Sequence, residues 1–265
     1  MPADAQTFCT LDSKALIIHA PGFILEIDKR TGEWRQIVTP YDGRSLVPHG
    51  SARVSFDIHL NGHWLSALNR PALVRWEQRT ANGRFLVLIE IKLGAFYVRQ
   101  WIQVDSDGMG FQRSLDLKYQ GKLPGTLRAI DLSLPAIRLS EKDAGELVLP
   151  NHSPCYTLDL ETVTRRGFTR EKVDEEYEAG CLEPAGAQTF PDTWNGIVGV
   201  HDPASRTGLI TFLSSASAPV IHACQKLGKG FAISAVQRQE MILETGASFS
   251  TAAQCGSQPG WFQPK

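Results

Sequence analysis

The sequence predicts an all-β protein, a large antiparallel β-sandwich with minimal helix, on three observations. Segment after segment alternates apolar and polar residues with a period of two, as a strand with one buried face requires. Asn-Gly pairs, the strongest short hairpin signal, fall between such segments at Asn61-Gly62 and Asn82-Gly83. Only Thr169–Glu178 has helical character, with Thr169 placed to cap it and Val173 and Tyr177 four apart. Its charge density marks a solvated turn of helix. The 265 residues suffice for a full-sized core. The expected organisation is an N-terminal arm over 1–15, one sandwich domain over 16–256, and a tail or linker over 257–265.

In order, Leu16-Ile17-Ile18 opens the first strand, and Phe23, Leu25 and Ile27 then alternate with Ile24, Glu26 and Asp28. Asp28–Gly32 is a turn and Glu33–Val38 the returning strand. Ala52, Val54, Phe56, Ile58 and Leu60 share one face of the next strand, which turns His59 outward toward solvent. Val74–Arg79, Phe85–Leu93, Phe96–Val104 and Phe111–Tyr119 follow as long antiparallel strands, the last two joined at Asp105-Ser106-Asp107-Gly108. Trp64, Trp76 and Trp101 fall in or next to strands. Trp101 lies opposite the apolar face of its strand, so it is either covered by a second sheet, the commoner outcome, or exposed. Arg128–Leu134 alternates again and Pro135 closes it. Residues 140–195 are the least regular part. Strands return at 197–201, 208–213, 219–224, 230–237 and 240–244. About fourteen short strands with almost no helix describe a single β-sandwich.

Composition narrows the function classes. A net charge of -1 gives no electrostatic case for nucleic acid or an anionic membrane. No apolar run reaches the roughly 20 residues of a membrane helix. The start, Met1-Pro2-Ala3-Asp4-Ala5, lacks the regions of a signal peptide, so a cytoplasmic location is expected, or a secreted one if a leader has been removed. Cys9, Cys155, Cys181, Cys224 and Cys255 are odd in number and widely spaced, which fits neither a disulfide framework nor a metal knuckle. The histidines show no ligand spacing, and no phosphate loop, dinucleotide fingerprint or Gly-x-Ser-x-Gly is present. No metal and no cofactor is expected.

The opening hairpin Gly22–Gly32 with Asp42-Gly43-Arg44, the central Asp105–Gly108 turn leading to Leu127–Pro135, and the late turn Glu244-Thr245-Gly246-Ala247-Ser248-Phe249 together resemble the galactose-mutarotase-like β-supersandwich. In the late turn Thr245 replaces the family's proline and Ala247 its glutamate. The resemblance covers most of residues 16–254. It implies one of two roles: an aldose 1-epimerase with a His acid and a Glu base, or a non-catalytic N-terminal domain packed against a helical catalytic barrel.

The resemblance also nominates residues. Cys181-Leu182-Glu183 ahead of Phe190-Pro191-Asp192 is similar to the family's base segment, and Asn151-His152-Ser153 to its acid segment, which implies Glu183 as base and His152 as acid. Opening a sugar hemiacetal needs such a pair. The family sets the two far apart on different strands, whereas 31 positions separate them here, which argues against the catalytic assignment. Carbohydrate binding is the other chemistry: Trp194 offers a stacking face, with Asp192, Asn195 and His201 as polar partners for hydroxyls. The leading expectation is a non-catalytic accessory domain of a glycoside hydrolase-like enzyme, contacting a sugar or a C-terminal helical catalytic domain. The alternatives are an epimerase using Glu183 and His152, and a structural sandwich mediating protein contacts.

Overall fold

The computed structural model describes residues 7–38, 43, 45, 56–66, 72–132, 134–137, 146–149, 156–159, 198–202, 207–213, 220–227, 230–251 and 254–257. Strands β1 (Phe8–Leu11), β2 (Ala15–His19), β3 (Ile24–Asp28) and β4 (Trp34–Val38) form a four-stranded sheet in sequence order. A six-stranded sheet holds β5 (Asp57–Leu60), β6 (His63–Ser66), β11 (Gly125–Asp131), β12 (Leu134–Ile137), β17 (Val220–Leu227) and β18 (Gly230–Leu243). The widest sheet contains β7 (Ala72–Ala81), β8 (Arg84–Leu93), β9 (Phe96–Val104), β10 (Gly110–Tyr119), β13 (Glu146–Leu149) and β14 (Tyr156–Asp159). Its remaining members are β15 (Val198–Asp202), β16 (Thr207–Leu213), β19 (Ser248–Ser250) and β20 (Gln254–Ser257). Among the described residues every ladder is antiparallel and no helix occurs, so the all-β expectation holds.

The strands form where the alternation placed them, because each must bury one row of side chains. Along β10, Phe111, Arg113, Leu115, Leu117 and Tyr119 are buried while Gln112, Ser114, Asp116 and Lys118 are not. The Asn-Gly hairpins close with positive φ at both residues, 52° and 80° at Asn61 and Gly62, 53° and 72° at Asn82 and Gly83. Those values fit the primed turns whose twist matches antiparallel strands. Both smaller sheets cover the buried row of β10. Trp34 of the four-stranded sheet and Phe23, just before β3, meet Phe111 edge-on at 5.4 and 5.5 Å. At the other end of the strand Tyr119 and Leu60 converge on Gly125, whose missing Cβ would lie 2.9 Å from both. The four-stranded sheet is clasped to the wide one by backbone. Gly22 N donates to Gly108 O at 3.0 Å, and a Cβ on Gly108 would stand 2.1 Å from Pro21 Cδ.

Several sequence expectations need amending. His59 does not face solvent: it is 5% exposed, and its ring meets Trp64 edge-on at 4.9 Å. All four residues of β5 are buried, so both faces of this strand are covered and alternation loses its meaning as an inside-outside code. Phe8–Leu11, within the stretch expected as an arm, pairs with β2. β12 continues through Pro135, and β13, β14 and β20 are additional strands. The two strands expected at 230–237 and 240–244 form one continuous strand, β18. The helix expected at Thr169–Glu178 lies outside the described residues.

Candidate functional site

The outer face of β7–β10 carries a polar and aromatic surface fixed by the ladder register. Leu88, Trp101 and Ser114 stand side by side on β8, β9 and β10, and Leu86, Gln103 and Gln112 form the adjoining row. Arg79 on β7 opposes Leu86. The Trp101 indole Nε1 donates to Asp116 Oδ2 at 2.7 Å, and Ser250 Oγ donates to the other carboxylate oxygen at 2.6 Å. Asp116 thereby holds the half-buried indole in one orientation, with one donor on each oxygen. The Arg79 guanidinium lies over the indole, 5.4 Å from its centroid, and Gln103 Nε2 donates to Gln112 Oε1 at 3.4 Å. These groups enclose a cleft of about 260 Å³ lined by Arg79, Leu86, Trp101, Gln103, Gln112 and Ser114. It is a small site, below the roughly 300 Å³ at which drug-sized ligand clefts begin.

The neighbouring rows are charged. Glu90, 2% exposed, forms an ion pair with Arg75 Nε at 2.7 Å and accepts from Arg99 Nε at 3.1 Å. Burial pushes this carboxyl up, but the Tyr97 hydroxyl and the two guanidiniums outweigh it and hold it below its ordinary value. Along the outer rows of β7–β10, Arg75, Arg79, Arg84, Lys92, Arg99 and Lys118 face three carboxylates, Glu77, Glu90 and Asp116. This face carries a net +3, against -1 for the whole chain. Neither interior-leaning carboxylate is free to act as a base: Glu90 is clamped by two cations and Asp116 holds Trp101. Among the described residues the face suits binding better than proton transfer.

No family model matches the sequence, and no curated protein matches it. Solved structures do. A TPR-domain containing protein from Parabacteroides distasonis superposes with a TM-score of 0.58 at 9% identity over 92% of this chain and 46% of that one. A GH36 alpha-galactosidase from Geobacillus stearothermophilus, in complex with 1-deoxygalactonojirimycin, gives 0.54 at 12% identity over 96% of this chain and 40% of that one. A galactose mutarotase-like protein from Lactobacillus casei gives 0.50 at 11% identity, over 96% of this chain and 100% of that one. The fold is the galactose-mutarotase-like β-supersandwich. The chain spans less than half the length of the first two of these structures.

Within the supersandwich, His201 is the one residue nominated from sequence that falls among the described residues. Glu183, His152, Trp194, Asp192 and Asn195 lie outside them. His201 is on β15, opposite Gly208 of β16 and Glu146 of β13, in the half of the wide sheet beyond β20. Trp101 is neither core nor fully exposed; it is half-buried on an outer face. The residues that sequence reading missed are Arg79, Gln103, Gln112, Ser114 and Asp116. Their signal was present in the turns at 82–83, 94–95 and 105–109, which fix the register and so place these residues beside Trp101. Among the described residues no group of three or more His, Cys, Asp or Glu is arranged to hold a metal. Burial pushes the Cys9 thiol up to about 11, so it is no nucleophile near neutral pH.

Proposed function

We propose that this chain is a carbohydrate-contacting supersandwich domain that serves a glycoside hydrolase-like enzyme without chemistry of its own, and that the Trp101 cleft is where it meets the sugar. The observation that carries this reading is the indole locked by Asp116 beside two amides and a hydroxyl. Sugars offer an apolar C–H face for an aromatic ring and hydroxyls for planar amide partners, and this cleft supplies both at a scale of one ring. The GH36 alpha-galactosidases that share the fold are more than twice as long as this chain, which supports a role beside a catalytic domain in a larger protein. Titration with mono- and oligosaccharides, read on the Trp101 indole N–H resonance, tests the proposal. Sugar-dependent shifts that vanish in Trp101→Ala are expected; a resonance indifferent to every sugar sinks the idea.

A second reading has one observation behind it: the fold also makes up the entire Lactobacillus casei galactose mutarotase-like chain. On that reading the protein is a free-standing aldose 1-epimerase using Glu183 as base and His152 as acid. Polarimetry on glucose and galactose distinguishes the two, since the epimerase must accelerate anomerisation and lose that in Glu183→Gln.

A further inference from the structure

We propose that the Trp101 cleft selects sugars carrying a carboxylate, hexuronate units in particular, with Arg79 as the partner of the acid group; this rests on the carbohydrate reading above. The two arginines nearest the neighbouring row, Arg75 and Arg99, are engaged by carboxylates. Arg75 and Arg99 both pair with Glu90, Arg75 also reaches Glu77 at 3.4 Å, and Arg35 pairs with Glu26 at 3.2 Å. Among the described residues the Arg79 side chain has no ion pair and no hydrogen bond, and its guanidinium lies over the π-face of Trp101. That contact holds the long side chain over the cleft while leaving the N–H donors of the guanidinium open to an incoming ligand. A planar guanidinium in this state matches a carboxylate through two parallel hydrogen bonds.

The surroundings point the same way. Among the described residues the cleft lining contains no carboxylate, and the one nearby, Asp116, already accepts from Trp101 and Ser250. A neutral sugar would leave the Arg79 charge facing hydroxyl dipoles alone, whereas a hexuronate answers it and still lays its ring on Trp101. The net +3 along β7–β10 attracts an acidic chain toward the cleft from a distance. The apolar contributions of Leu86 and Trp101 favour an organic acid over a bare inorganic anion.

The experiment uses the full chain and follows the Trp101 indole N–H resonance, identified by its absence in Trp101→Phe. The probes are methyl glucuronoside, methyl galacturonoside, methyl glucoside and acetate, each at low and physiological salt. At low salt at least one uronoside should bind about tenfold more tightly than the glucoside, the scale of one charge-assisted bidentate contact partly exposed to water. Salt should erode that margin. Arg79→Gln should bring the uronoside down to the level of the glucoside, and Arg79→Lys should restore only part of the difference. Equal binding of uronoside and glucoside overturns the acid preference while leaving the carbohydrate reading intact. Acetate binding as tightly as the uronosides also overturns it, since the site would then be an anion site without a sugar. Silence from all sugars removes both.

Discussion

The Trp101 indole N–H and the Asp116 carboxylate are joined at 2.7 Å across neighbouring strands, fifteen residues apart in sequence and on the outer face of the widest sheet. A tryptophan on a sheet surface has several rotamers, and this bond, reinforced by Ser250 at the far oxygen, selects one. Asp116→Ala should therefore release the indole without unfolding the sheet. A stability loss of about 1 kcal/mol is expected for a half-buried bond to a charged acceptor. Urea melts measure that cost, and sugar titration of the same variant should show weakened binding. Asp116→Asn, whose amide has one acceptor oxygen for two donors, should fall between the two.

Glu90 makes acid stability depend on one buried carboxylate. Its folded value lies below the ordinary one, so its contribution is complete above the unfolded value near pH 4.3 and disappears as pH falls through the folded value. Arg75 and Arg99 are each more than half exposed, so the clamp is screened, and Glu90→Gln should cost about 1 kcal/mol at neutral pH. The two proteins should converge in stability as pH falls below the ordinary glutamate range and through the lowered folded value. A constant difference from pH 7 to pH 3 would contradict this account.

Arg113 is wholly buried on the inner face of β10, its guanidinium 4.8 Å over the Trp34 ring. Burial pulls it down to about 9, against the attraction of Asp131, itself fully buried. It remains protonated at neutral pH. Removing one charge from such a pairing generally costs about 3–5 kcal/mol, because the other stays buried. Arg113→Met should lose that much in chemical denaturation. Adding Asp131→Asn should recover part of it, giving a measurable coupling in a double-mutant cycle.

The clasp between the small and wide sheets separates steric from conformational strain. Gly108 has φ +69° and Gly62 has φ +80°, but only Gly108 has a neighbour, Pro21, in the space of a Cβ. Gly62→Ala should cost about 1–2 kcal/mol for its left-handed backbone. Gly108→Ala should cost more than that, because Pro21 must also move and the Gly22–Gly108 hydrogen bond goes with it. Similar losses in the two variants would show that the clasp yields freely.

The wide sheet was legible from sequence because Phe96–Val104 and Phe111–Tyr119 each bury one row and leave the other partly open, while the middle of Phe85–Leu93 is buried on both faces. His59 failed the same logic since β5 has no wet face. The cleft was less legible for a different reason. Arg79, Trp101 and Asp116 are far apart along the chain and come together only through hairpin register, which depends on where each turn closes. Trp101 was singled out by its position opposite the apolar row; its partners required counting across three turns.

β20 joins the two halves of the wide sheet. On one side Gly110–Arg113 of β10 pair with it, on the other Ile210–Leu213 of β16, and no other described strand spans that gap. Everything from β7 to β10 can be made and paired before residue 120, yet the β13–β16 half has no neighbour on that side until residue 257 arrives. Loop closure over some 140 positions must precede the final zippering, and non-local pairing of this kind slows folding. The protein should therefore pass through a state in which β10 and β16 both present unpaired edges. Those edges are the place where a second chain, still unfolded, would most readily add on.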